Sequence, residues 1–463
     1  MPSNQTSLLI NNHAIQRDMR SIATLFLIAT LVGCGVRGAD TGDSGNTGSG
    51  SSTEGNGTGG TDGGSCEVAD MRSWVNDNMH DYYLFSDQVP VVNLNDYDSP
   101  ETLIKDLRVL PYDKYSYITD AAQSTAYFEE GKRFGFGWIL ERSANDDLVF
   151  ALVEPDSPLA NAGVIRGETL LAIDGIDLPT FANLERNVQD QHLGAGDDVV
   201  SPTFTVGNGV TSRNVIVTKG SYTMHSVIDT RVVNHNGSKV GYLHFFTFIE
   251  PSSAELATAF AELAAADVDE LVLDLRYNSG GRINIAAELA GYIGGGGTQG
   301  KTFATYAFNN KYASHNESLD FETHNNALGL SRVFALTTDR TCSASEMVIN
   351  GLRPFIDVVT VGSTSCGKPY GTSGRTSCGK VMHALEVEFQ NASGVGGYFD
   401  GIGADCAAAD NPHQTLGSAN ENLFSSALGY MDTGSCQQVA YRSAYRRTLP
   451  DLLNPLRDQL GGL

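Results

Sequence analysis

The chain has 463 residues, 41% of them hydrophobic and 18% charged, with 30 basic against 54 acidic side chains and a formal net charge of −24. That length exceeds one ordinary core and predicts two or three folded units. The acidic balance argues against a nucleic-acid partner, because phosphate contact needs a basic face, and against attachment to an anionic bilayer through a basic patch.

In chain order, the first signal is "MRSIATLFLIATLVGC" from Met19. Arg20 precedes an apolar run from Ile22 to Val32, too short to span a bilayer and of the size of a signal-peptide core. Leu31-Val32-Gly33-Cys34 resembles the bacterial lipobox, which implies a lipoprotein signal peptide over 1–34 with Cys34 lipidated. Met19 is a candidate start, and Gly35 after the Cys is compatible with export to the outer membrane. The alternative is an ordinary cleaved secretory signal with an incidental Cys. Residues 35–65 are almost entirely Gly, Ser, Thr, Asp and Asn, a composition that buries nothing and predicts a flexible tether.

Six cysteines remain beyond Cys34: Cys66, Cys342, Cys366, Cys378, Cys406 and Cys436. An even number in an exported chain predicts disulfides. With no CxxC pair and no His at ligand spacing, neither a metal site nor a cofactor is expected. Cys366 and Cys378 flank a short loop and form the favoured pair.

Residues 66–130 read as a mainly helical cap. Trp74, Met79 and Tyr82 or Tyr83 recur near helical spacing, and Ser99-Pro100-Glu101 is a helix start. His80, alone among aromatics, reads as a packed or surface residue. Residues 131–222 form a second unit that opens on Gly135-Phe136-Gly137-Trp138 feeding a strand. With Ser157-Pro158, Ala162-Gly163 and Arg166-Gly167 through Asp174-Gly175, this stretch resembles a PDZ domain. The resemblance implies that Gly135, Phe136, Gly137 and Trp138 make a carboxylate-binding loop, its glycines letting backbone amides point at a peptide C-terminus. The peptide would then add a strand to the domain edge. The alternative is a spacer or gate that binds no terminus.

Residues 223–436 alternate strand and helix: "KVGYLHFFTF", "SSAELATAFAELAAA", "DELVLDLRYN", "INIAAELAGYIG", "RVFALTTD", "SASEMVINGL", "DVVTVGS". This alternation predicts a parallel sheet with its functional loops at the carboxyl ends of the strands. Further on, "VMHALEVEFQ" and the following loop read as an edge hairpin, and "NENLFSSALGYM" as a short helix. The tail, 437–463, carries the locally basic "YRSAYRRTLP" and reads as solvated.

Ser343 stands where a helix begins, among free amides and the positive end of the helix dipole. By itself this is also a capping box with Glu346. Lys368 follows Gly367 on the next strand's exit, 25 residues later. "SASE", the 25-residue interval and "GK" together resemble the C-terminal processing peptidases, or tail-specific proteases. The resemblance implies a mixed multidomain α/β fold with a helical cap, a PDZ domain and a crotonase-like α/β sheet peptidase domain. It implies Ser343 as nucleophile and Lys368 as general base of an acyl-enzyme mechanism, with Ser345 as the rival nucleophile on local grounds. "LDLRYNSGG", Leu273 to Gly281, is similar to the run whose glycine amide joins the amide after the nucleophile in an oxyanion hole, which implies Ala344 with Gly280 or Gly281. A departure is Thr372, four residues after Lys368, where the family often has Gln. Cys342 and Cys366 flank the two residues and could tie the loops down or regulate them.

The function so implied is a serine endopeptidase of the bacterial cell envelope, lipid-anchored, acting on polypeptides through their C-termini. Three alternatives differ in class or machinery: a catalytically silent PDZ scaffold lipoprotein, a carrier of apolar ligands, and Ser–His catalysis using His80 or His383.

Overall fold

In the computed structural model, which describes residues 65–143 and 145–436, the chain is a mixed α/β fold built around three sheets and a two-stranded ribbon. The expected signal peptide, most of the tether and the C-terminal tail lie outside the described residues. Among the described residues no helix is long and apolar enough to cross a membrane.

The cap begins with helix Val68–Asp81, whose Met71, Val75 and Met79 face inward. Helix Pro100–Leu107 starts as its sequence predicts, with Ser99 accepting a hydrogen bond from the Thr102 amide and Pro100 at the first turn. Its Leu103, Ile104 and Leu107 pack with Val75, Met79 and Tyr83 against Tyr370, Met382, Ala384 and Leu385, far along the chain. The cap also supplies strand Tyr117–Asp120, which pairs antiparallel with 380–383. It is therefore welded to the later sheet rather than carrying a core of its own. That sheet contains strand Lys380–Gln390 flanked by Tyr117–Asp120, Thr302–Phe308 and Tyr370–Ser377. The edge hairpin expected from "VMHALEVEFQ" and the following loop is corrected: the long strand pairs back onto the preceding Tyr370–Ser377, and it is central because Tyr117–Asp120 and Thr302–Phe308 share its other side.

Residues from Trp138 to Ile216 form an antiparallel sheet in the order Trp138–Arg142, Leu148–Val153, Thr169–Ile173, Thr203–Gly207, Ser212–Ile216. It has a separate core of Phe136, Trp138, Phe150, Leu159, Leu170, Phe181, Phe204 and neighbours.

The third sheet runs Val227–His235, Ser238–Phe245, Glu270–Asp274, Arg332–Thr337, Asp357–Gly362, Cys406–Ala407. All pairings are parallel except the first. Both faces are covered, as parallel strands require. On one side lies helix Ser252–Ala266, whose Leu256, Ala259, Phe260 and Leu263 are spaced at one face. Helices Ile283–Gly294 and Ala344–Leu352 complete that layer. On the other, helix Asn422–Thr433 buries Leu423, Phe424, Ala427 and Leu428. Each fully buried Leu or Phe stabilises by ~1.5–3 kcal/mol relative to exposure.

Three disulfides join the six cysteines: Cys66–Cys378, Cys342–Cys366 and Cys406–Cys436. The favoured Cys366–Cys378 pair is thereby corrected. The whole of strand Tyr370–Ser377 lies between them, and a strand of that length separates its ends by about 25 Å, far beyond disulfide reach. Cys378, at the hairpin turn, is instead adjacent to the start of the cap.

Candidate active site

Three loops leave the carboxyl ends of Glu270–Asp274, Arg332–Thr337 and Asp357–Gly362 and converge, because adjacent parallel strands end at the same level. The middle loop carries Ser343, immediately before helix Ala344–Leu352. Ser343 has φ 55° and ψ −114°, a conformation that L side chains rarely adopt. Such strain persists only where its surroundings impose it, and it is common at functional sites. The rival Ser345 is fully buried, with its hydroxyl donating to the Asn278 carbonyl at 3.1 Å. That bond gives it a structural role and takes it away from solvent.

The loop after Glu270–Asp274 packs against Ser343. A Cβ on Gly280 would lie 2.8 Å from Ser343 Cβ and 3.0 Å from the Ala344 nitrogen, and Gly280 has φ +103°. Glycine is required there on both counts. The Gly280 amide donates to Asn278 Oδ1 at 2.9 Å, while the amides of Gly281 and Ala344 find no acceptor among the described residues. The base of the loop is fixed by Arg276, fully buried, which donates bidentately to Glu421 and also to Asp274 and Asp410. Removing one partner of such a cluster would leave a buried charge uncompensated, at a cost of about 3–5 kcal/mol.

The third loop presents Lys368, which is buried, 5% exposed. Burial pushes its pKa down to about 8, against the opposing pull of the Asp113 and Glu346 carboxylates. A lysine so placed is substantially neutral near pH 8 and can accept a proton. Its loop and the Ser343 loop are held to one another by Glu346. That carboxylate accepts from the amides of Ser343 at 2.9 Å, Gly367 at 2.8 Å and Lys368 at 2.8 Å, and from Ser365 Oγ. Burial pushes the Glu346 pKa up, but all four neighbours donate to it, which favours the ionised form. The Cys342–Cys366 disulfide crosses the same gap, with Cα atoms 5.2 Å apart.

Sequence reasoning read Glu346 only as a helix cap and gave the cap at 66–130 no part in the site. Tyr115 reaches the Lys368 loop, donating toward the carbonyls of Cys366 at 3.2 Å and Gly367 at 3.1 Å. Its ring lies 5.2 Å from Lys368 Nζ. Behind it, fully buried Asp113 accepts from Tyr83, from Ser116 Oγ and from the amides of Tyr115 and Ser116. The only sequence signal was the polar-aromatic run "PYDKYSY", which had no motif to attach to.

The two histidines considered for catalysis sit elsewhere in the polar network. His80 is exposed and bonded to the Asn76 carbonyl of its own helix. The His383 ring faces the hydroxyls of Thr372 at 3.4 Å and Ser124 at 3.5 Å and stacks on Tyr117. Its pKa is pushed down to about 4 by burial and by the Lys368 charge. Among the described residues no hydrogen bond joins either imidazole to Ser343.

In the loop Gly135–Trp138, the Phe136 and Trp138 rings are buried in the core of their sheet, packed on Phe204. The carbonyls of Phe136 and Gly137 accept from Leu159 and Glu154, while the amides of Phe136 and Gly137 find no acceptor among the described residues. Strand Trp138–Arg142 is the sheet edge. Arg340, from the Ser343 loop, donates to Leu140 O at 3.4 Å and to Glu141 on this strand.

Residues 239–393 match the model of peptidase family S41, and residues 70–117 match the peptidase S41 N-terminal domain. Those two segments carry the domains of peptidase family S41. Its relatives include a carboxyl-terminal-processing protease of Picosynechococcus sp., 32% identical over 145 residues, which are 31% of this chain and 34% of that protein. A CtpA-like serine protease of Staphylococcus aureus is 23% identical over 320 residues, 68% of this chain and 60% of the other. The matches thus span a third to three fifths of the length of these curated relatives. A Bacteroides fragilis protein classed with the S41 proteases has a similar fold, with TM-score 0.62 and 23% identity over 78% of this chain and 97% of the other.

Proposed function

We propose that this chain is an S41-type serine endopeptidase in which Ser343 attacks a peptide carbonyl and Lys368 takes its proton. The observation that carries the reading is the convergence on one carboxylate, Glu346, of the Ser343 and Lys368 amides, with Lys368 buried enough to be neutral at mildly alkaline pH. Proton transfer from Ser343 Oγ to Lys368 Nζ accompanies attack. The carbonyl oxygen becomes an anion received by the unpaired amides of Ala344 and Gly281, while Gly280 forms the close wall that lets the substrate approach. Lys368 then gives the proton to the leaving amine, and water releases the acyl group from Ser343.

In the same reading, residues 131–222 act as a PDZ domain that recognises substrate C-termini. Support comes from the unpaired amides of Phe136 and Gly137 beside an edge strand. The rings of Phe136 and Trp138 anchor that loop from below, leaving the backbone as the recognising element. Cys34 would carry the lipid that holds the enzyme in the bacterial cell envelope, with 35–65 as the tether.

The test is cleavage of casein and of free-C-terminus peptides by the full chain beside Ser343→Ala and Lys368→Ala. Loss of roughly 10³-fold or more in both variants is expected. Cleavage by wild type that survives in either variant would assign the chemistry to another group. No cleavage by wild type at any pH from 6 to 10 would favour a silent scaffold.

A further inference from the structure

The residues beside the two reacting groups carry an element that the reaction itself does not use. Cys342 immediately precedes Ser343, Cys366 lies two residues before Lys368, and a disulfide joins them. Both cysteines are half-buried and pack on the cap core, where Tyr115 holds the Cys366 carbonyl. The other two disulfides, Cys66–Cys378 and Cys406–Cys436, tie the start of the cap to the far end of strand Tyr370–Ser377 and the chain after the final helix to strand Cys406–Ala407, outside the two loops.

We infer that the Cys342–Cys366 disulfide is a positioning element for the Ser343–Lys368 pair, setting the separation of the two loops and thereby making the site dependent on an oxidising environment. The inference rests on the Ser–Lys reading above. Its physical ground is that hydrogen bonds to Glu346 already join the loops. The covalent link is therefore not needed to bring them together. What it adds is stiffness along the one direction in which Lys368 must reach Ser343, and Ser343 is itself held in a strained conformation. Displacement of a reacting group by about 1 Å can cost 10²-fold in rate. A dithiol reductant opens the link by exchange. Its thiolate attacks one sulfur and the S–S bond breaks. The reductant's second thiol then closes its own disulfide, leaving Cys342 and Cys366 as two thiols that have gained two electrons and two protons.

The experiment compares the full chain with Cys342→Ala/Cys366→Ala, and with Cys66→Ala/Cys378→Ala and Cys406→Ala/Cys436→Ala as controls. Read out are kcat and KM on casein, the pH profile, and hydrogen exchange at the amides of Ser343, Gly367 and Lys368. The first double variant should lose kcat by roughly 10- to 100-fold with KM little changed. The midpoint of its alkaline rise should move above about 8 as Lys368 becomes less enclosed. Exchange at the three amides should quicken, and both controls should keep wild-type kcat. An unchanged kcat and pH midpoint, or unchanged exchange, overturns the inference. If the double variant does not fold, the native wild type is reduced instead, with each bond scored by mass spectrometry. The same losses of kcat and amide protection then support the inference, and their absence overturns it. If wild type does not cleave at all, the peptidase reading fails, while the exchange arm still decides whether this disulfide holds the loops.

Discussion

The loops around Ser343 and Lys368 and the loop Gly135–Trp138 are both glycine-containing turns next to strands, and they treat their backbone amides in opposite ways. Around the candidate dyad, the amides of Ser343, Gly367, Lys368 and Gly280 are consumed by Glu346 and Asn278, while those of Gly281 and Ala344 find no acceptor among the described residues. In the second loop the neighbouring amides of Phe136 and Gly137 find no acceptor among the described residues, while the carbonyls of the same two residues accept from Leu159 and Glu154 and the Phe136 and Trp138 rings are sunk in the core. An unpaired donor in a folded protein calls for an explanation. The difference suggests two: a chemical site needs one preorganised pocket for a transient anion, whereas a recognition site needs a row of donors for a stable one.

The largest effect that would break this comparison is Gly280→Ala. Its Cβ would lie 2.8 Å from Ser343 Cβ at a backbone angle that disfavours any side chain. The rate on casein is expected to fall on the order of 10²–10³-fold while the antiparallel sheet of residues 138–216 keeps its fold by circular dichroism. Near-normal turnover would mean that close packing at the nucleophile does not shape the pocket.

Next comes pH. A Lys368 depressed to about 8 is the base only when neutral, so its neutral fraction rises with pH up to that value and then levels. Activity should therefore fall about tenfold per unit below that midpoint. A profile flat between pH 6 and 9 would remove Lys368 as base and return attention to His383.

The smallest expected effect sharpens the other half of the comparison. Amidating the C-terminus of a peptide substrate removes the charge that the Phe136 and Gly137 amides would receive. KM should rise roughly tenfold with kcat unchanged, the worth of one or two charge-assisted bonds. Identical KM values for acid and amide would leave the second unit as a spacer.

Acid stability follows from the same buried groups, with a defined sign. His383 is neutral in the fold down to about pH 4, whereas in the unfolded chain it gains its proton near 6.5. The unfolded state thus binds more protons between these values, and stability falls as pH drops through that window. His383→Gln should flatten the fall in Tm between pH 6.5 and 4, measured by calorimetry. Unaltered slope would assign the acid sensitivity to buried His244, whose pKa is also pushed down by burial.

Much of the fold was legible because local chemistry and tertiary outcome agree. Helix Ser252–Ala266 and helix Ile283–Gly294 coincide with their apolar, Ala-rich segments, and the cap at Ser99 behaves as its residue types dictate. Strand Glu270–Asp274 reads as a continuous apolar run because helices cover both of its faces. The position of Ser343 at a helix start was equally local. What failed were judgements of neighbourhood. Strand Lys380–Gln390 looked like an edge because nothing in its own sequence announces the cap strand that covers it. The disulfide expected from proximity along the chain ignored the strand that lies between Cys366 and Cys378.

The sequence by itself determined the residue types at the site, the spacing that puts Ser343 and Lys368 at neighbouring strand ends, and the glycines that only a positive φ can explain. Those are properties of short segments, fixed by propensity and by the handedness of the strand–helix–strand unit. Tertiary structure decided the state of those groups. It placed Tyr115 and Asp113 from the cap beside Lys368, turned the capping residue Glu346 into a bridge between two loops, and chose which amides stay unpaired. A lysine's basicity and an amide's availability depend on what surrounds them in space, and that surrounding comes from segments more than 200 residues apart in the chain.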